Sequence, residues 1–112
     1  MADAETELHV CDAAVTLAFS VLGKRWNGMI VSTLGAGSTT FVALRRAVVG
    51  ISDTVLSDRL AELAQAGLVV RTVDAGPPVT VSYALTESGE GLRPILSQLG
   101  EWASANLEGP AH

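Results

Sequence analysis

Few residues in this 112-residue sequence could do covalent or metal chemistry. There is one cysteine, Cys11, and there are two histidines, His9 and His112. Cys11 and His9 are the only soft ligands near each other, and two ligands do not close a zinc site. A Ser-His-Asp set would have to rest on His9, close to the first residue of the sequence. Gly23-Lys24 has no glycine five residues upstream, so it does not form a phosphate-binding loop. The pairs Gly35/Gly37 and Gly89/Gly91 lack the third glycine of a dinucleotide turn. No catalytic residue, metal or cofactor is expected. What remains is the chemistry of contact, carried by basic and small polar side chains.

Those side chains are unevenly placed. The net charge is -5. Residues 1–23 hold Asp3, Glu5, Glu7 and Asp12 and no base. Residues 24–71 hold Lys24, Arg25, Arg45, Arg46, Arg59 and Arg71 against Asp53, Asp58 and Glu62. Residues 72–112 hold Arg93 against Asp74, Glu87, Glu90, Glu101 and Glu108. Six of the seven bases therefore lie in the middle stretch, where they could meet phosphates.

The rest of the composition bounds the class. An apolar content of 48% excludes intrinsic disorder. The length fits a single domain over residues 1–112, of which 1–11 are expected to be mobile. No apolar run is long enough to span a membrane, and the acidic start lacks the basic region of a secretory signal. A lone cysteine cannot form an internal disulfide, and the cytoplasm is the expected location.

The elements that must position the basic residues follow from periodicity. Residues 12–22 read as a short apolar helix with Asp12 as its cap and Gly23 as its end. Residues 24–34 predict a second helix, with Trp26, Met29, Ile30 and Leu34 at helical spacing. GAGST at 35–39 predicts a turn. Residues 40–49 predict a third helix with Phe41, Leu44 and Val48 on one face. Ser52 predicts the cap of a fourth helix, with Asp53 in its first turn and Leu56, Leu60 and Leu63 as its buried stripe. Gly67 predicts its stop. LVVRTV at 68–73 and VTVSYAL at 79–85 predict a β-hairpin around the turn at 74–78. Thr86 opens a last helix, in which Pro94 predicts a kink or a delayed start.

The order is four helices, a hairpin and a helix. The fold class is mainly α with a β-hairpin wing. It is a winged helix-turn-helix with extra N- and C-terminal helices. The helix-turn-helix occupies 40–66 and the wing 68–85. The second helix of such a pair must bury one stripe and offer small polar side chains to a major groove. Thr54, Ser57 and Asp58 are the candidates for base edges, with Ser52 at the head of the same helix. Arg45 and Arg46 are candidates for phosphate contacts, as is Thr80 at the wing. Lys24 and Arg25 are placed near the DNA backbone at the start of their helix. Arg59 either meets phosphate or pairs with Glu62 or Asp58. Phe19, Leu92, Ile95, Leu96, Leu99 and Trp102 form more apolar surface than a small monomer readily buries. They predict a homodimer through the helices at 12–22 and 86–107.

The sequence resembles HxlR-type winged-helix transcriptional regulators over roughly residues 11–104. The carriers begin with Leu22-Gly23, Arg25-Trp26, Phe41-x-x-Leu44-Arg45-Arg46 and Gly50-Ile51-Ser52. They continue with Leu56-x-x-Arg59-Leu60-x-x-Leu63, Ala66-Gly67-Leu68-Val69 and Pro77-Pro78. Tyr83-x-Leu85-Thr86-x-x-Gly89 and Trp102 complete them. The resemblance implies a homodimer on a near-palindromic site in double-stranded DNA. It also implies a response to oxidants or electrophiles through an N-terminal cysteine, here Cys11. Two rival readings stand beside it. Asp53 and Asp58 repel phosphate and favour a protein-interaction module on the same scaffold. A pocket between the N- and C-terminal helices would favour a small-molecule inducer.

Overall fold

The computed structural model describes residues 13–109. Cys11, Asp12 and the expected mobile stretch 1–11 lie outside the described residues. Among those described, α1 covers residues 13–22 and α2 covers Asn27–Leu34. A short strand β1 (Thr39–Thr40) precedes α3 (Phe41–Ala47). Then follow α4 (Asp53–Gln65), β2 (Val69–Asp74), β3 (Thr80–Leu85) and α5 (Glu87–Asn106). The three strands form one antiparallel sheet in the order β1-β3-β2. This is a winged helix-turn-helix with a helix added at each end.

The core is aliphatic. Ile30, Val31 and Leu34 of α2 meet Leu44 and Val48 around α3, and Leu56, Leu60 and Leu63 of α4. Ile51 and Val69 close it. The expected leucine stripe of α4 is fully used, so the opposite face, with Thr54, Ser57, Asp58 and Ala61, stays in solvent.

Capping sets the ends of α4. The Ser52 hydroxyl accepts a hydrogen bond from the Val55 amide at 3.2 Å, satisfying one orphan donor. At the other end the Gly67 amide bonds to the Ala64 carbonyl and the Leu68 amide to the Leu63 carbonyl, each at 3.0 Å. Gly67 has φ +81°, the left-handed turn that this double closure needs. Leu68 then packs against the core, and the chain leaves directly into β2.

Several boundaries differ from the sequence reading. The second helix starts at Asn27 rather than at residue 24, because Trp26 takes a left-handed backbone (φ 82°). Lys24 and Arg25 therefore sit in the α1–α2 junction. The third helix covers Phe41–Ala47 rather than 40–49, since Thr40 is its cap and accepts from the Ala43 amide. The turn expected at 35–39 ends in a strand: Thr39 and Thr40 pair with Tyr83 and Ser82. Two β-branched residues suffice to add an edge to a hairpin. Both strands start one residue later than expected, and β3 ends at Leu85 as expected, with Val69 opposite Leu85 and Asp74 opposite Thr80. The last helix neither starts late nor breaks at Pro94. Pro94 and Glu90 are both exposed, so water can satisfy the carbonyl that the proline leaves free.

The joint between the hairpin and α5 is tight. The Thr86 amide donates to the Leu68 carbonyl at 3.0 Å. The Thr86 hydroxyl donates to the Gly67 carbonyl at 2.6 Å and accepts from the Gly89 amide at 3.1 Å. Gly89 is buried against the Leu68 carbonyl, where a Cβ would collide with backbone.

Candidate nucleic-acid interface

The outward face of α4 carries the predicted base-reading residues. Thr54, Ser57 and Asp58 are exposed, and Ser52 is engaged as the cap. Asp53 is held sideways: its Oδ1 accepts from Arg45 Nη1 at 3.0 Å. Part of the repulsion Asp53 would direct at phosphate is thereby neutralised by α3. Arg46 forms no ion pair among the described residues. Thr80 is exposed and opens β3 beside the wing turn. In that turn Asp74 Oδ1 accepts from the Gly76 amide at 3.1 Å.

Lys24, Arg25 and Arg59 are drawn together elsewhere. Lys24 Nζ donates to Glu62 Oε2 at 2.9 Å across 38 residues of sequence. Arg59 Nη1 donates to Glu62 Oε1 at 3.1 Å, and Arg59 Nε donates to the Arg25 carbonyl at 3.3 Å. The Arg25 guanidinium lies 4.5 Å from the centre of the Trp26 ring. Of the alternatives open for Arg59, it takes the pair with Glu62 rather than with Asp58. The hydrogen bond from Lys24 holds the Glu62 carboxyl below the ordinary carboxylate value; partial desolvation opposes this and the Arg59 charge adds to it.

Glu62 entered the sequence reading only as a candidate partner of Arg59, and its pair with Lys24 was not foreseen. Its only signal was its place three residues after Arg59. Asn27 gave none: it is fully buried, its Nδ2 donates to the Val21 carbonyl at 2.6 Å, and its Oδ1 has no partner among the described residues. An unpaired buried acceptor costs about 1–3 kcal/mol. A left-handed tryptophan beside it adds strain of about the same order.

Helices α1 and α5 carry the predicted dimer residues. Phe19, Ile95, Leu99 and Trp102 are each about half exposed. Leu92 and Leu96 pack partly against the protein's own core. Between the two helices lies an apolar groove of about 470 Å³, lined by Val15, Phe19, Leu22, Ile95 and Leu99 among others. Among the described residues no cluster of His, Cys, Asp and Glu could hold a metal ion, and no helix is long and apolar enough to cross a membrane.

Comparison with known proteins agrees with this geometry. Residues 21–110 match the model of the HxlR-like helix-turn-helix family. The HTH-type transcriptional regulator YodB of Bacillus subtilis (strain 168) is 42% identical over 91 residues, covering 81% of each chain. The structure of reduced YodB from B. subtilis superposes with a TM-score of 0.78 at 38% identity, covering 86% of this chain and 94% of that one. The redox regulator HypR in its oxidised form gives a TM-score of 0.78 at 33% identity, covering 86% of this chain and 99% of that one. A match over this much of the chain, on a scaffold with the same helices and wing, means that the protein belongs to the HxlR-like helix-turn-helix family.

Proposed function

We propose that the protein is a transcriptional regulator that binds double-stranded DNA as a homodimer at a near-palindromic operator. The observation that carries this reading is α4: a helix capped at both ends, with its leucines buried and Thr54, Ser57 and Asp58 turned to solvent. Each α4 enters a major groove, with half-sites about one helical turn apart. Arg45 and Arg46 meet phosphates and fix register, and the wing with Thr80 touches the adjacent backbone. Phe19, Ile95, Leu99 and Trp102 lie in the dimer contact, with Leu92 and Leu96 beneath them. The protein works by binding rather than by catalysis, needs no cofactor, and acts in the cytoplasm as one domain over residues 1–112.

The inducer is an oxidant or electrophile that reaches Cys11. The support is kinship: YodB has been solved in diamide-treated and quinone-bound forms, and HypR in oxidised and reduced forms. Cys11 is the sole cysteine, so its oxidation gives an intersubunit disulfide or a mixed adduct. The groove between α1 and α5 favours a second reading, a small apolar inducer held at the dimer interface.

Selection of sites from random duplex DNA with reduced protein tests the first reading. An enriched inverted repeat, bound less tightly at higher salt, supports it, because phosphate contacts release counterions. Absence of any enriched sequence at low salt overturns it in favour of a protein-interaction role.

A further inference from the structure

The α1–α2 junction is an unfavourable piece of chain held in place from outside. Trp26 sits in the left-handed region, and the Asn27 side chain buries an acceptor without a partner among the described residues. Neither is stable by local preference. Contacts from the recognition helix and its approach fix the position of the junction. The Trp26 ring lies against Gly50, in the turn that leads to α4, 3.5 Å from where a Cβ would stand. Lys24 is paired to Glu62, and the Arg25 carbonyl accepts from Arg59. Asn27 in turn ties back to the Val21 carbonyl in α1. The junction thus holds α1 with one hand and α4 with the other.

We infer that Glu62 is a positioning residue for DNA recognition: with Lys24 and Arg59 it sets the angle between the terminal helix α1 and the recognition helix α4. This rests on the reading of α1 as part of the dimer contact. In a dimer joined through α1, that angle fixes the separation of the two recognition helices, and so the half-site spacing. The linkage is partly exposed, with Glu62 at 37% and Arg59 at 25% side-chain exposure. Exposed ion pairs add little to stability, so loosening this one leaves the fold intact while freeing the angle. That separates positioning from scaffolding.

The test uses full-length protein and two readouts. Binding is measured on inverted repeats whose half-site spacing is varied base pair by base pair. Wild type is expected to prefer one spacing, and Glu62→Gln to lose roughly tenfold of that preference, within the usual range of coupling between sites. Lys24→Gln should do the same, and the double variant should lose no more than either single one. Glu90→Gln, which changes charge equally and breaks only the Arg93–Glu90 pair within α5, should keep the preference. The second readout needs no DNA. Spin labels on Thr16→Cys and Ala64→Cys in a Cys11→Ser background, diluted with unlabelled protein, report the α1–α4 distance within one protomer. Its distribution should broaden in Glu62→Gln and not in Glu90→Gln. An equal loss of affinity at every spacing, or an unchanged distance distribution, overturns the inference. If wild type binds no duplex, the regulator reading fails while the distance measurement still decides the linkage.

Discussion

Arg45 of α3 and Asp53 in the first turn of α4 form a 3.0 Å ion pair that joins the two helices of the helix-turn-helix at the face meant for DNA. The carboxylate that seemed a liability is therefore partly spent on a neighbour. It also suits the positive end of the α4 dipole. Asp53→Asn should free Arg45 for phosphate, tighten duplex binding and steepen its salt dependence. Stability should fall by only about 0.3–1 kcal/mol, the ordinary value of an acidic residue at that end. Titrations at two salt concentrations, with a denaturation curve, check both.

Arg46, with no ion pair among the described residues, is the cleaner candidate for a phosphate contact. Arg46→Ala should weaken binding about uniformly across operator sequences and reduce the salt slope by about one. A sequence-dependent loss would mean that it reads a base.

Thr54, Ser57 and Asp58 should behave in the opposite way. Alanine at any one of them should relax preference at a single operator position, worth about 1–3 kcal/mol against the wrong base pair. Selection repeated with each variant measures this directly. Loss at every position together would instead indicate a displaced helix.

The Gly89–Leu68 contact makes a stability prediction. Gly89→Ala puts a methyl against backbone that cannot yield, and should cost more than Thr86→Ala, which loses a cap worth about 1 kcal/mol. Leu60→Ala in the core should cost about 2–5 kcal/mol. Chemical denaturation ranks the three.

Glu62 gives the pH dependence. Its carboxyl is held below the ordinary carboxylate value, chiefly by Lys24. Its pairing therefore stabilises the folded state above the unfolded pKa, and this contribution is lost as pH falls through the lowered folded one. The pair is exposed, so the loss is small: acid titration of stability should show it as a slight extra slope in wild type that is absent in Glu62→Gln.

Much of the fold was legible because its signals are local. Ser52, Gly67 and Thr86 announce helix ends by their own chemistry, and the Leu56–Leu60–Leu63 spacing announces which face is buried. The start of α2 was not legible. Nothing about Trp26 by itself suggests a left-handed backbone; the ring lies against Gly50, and the Arg25 carbonyl beside it is bonded by Arg59, both far away in sequence. The strand at Thr39–Thr40 was hidden for the same reason, since it exists only through β3. In the site, the polar face of α4 followed from periodicity, and the Arg59–Glu62 pair was open to it as neighbours three apart on one helix, whereas the redirection of Lys24 toward Glu62 depends on a contact spanning 38 residues.

The joint at Thr86 has one more consequence. Its amide and hydroxyl fasten residues 86 and 67–68 together, so the hairpin between them is a closed excursion whose two ends are pinned at its root. Whatever happens at the tip of such an excursion is not transmitted along the chain into α4 or α5. Lengthening a loop costs only slowly growing entropy. The stretch around residues 75–79 can therefore be extended, trimmed or exchanged as an independent cassette, a natural place for one scaffold to acquire different reach along a duplex.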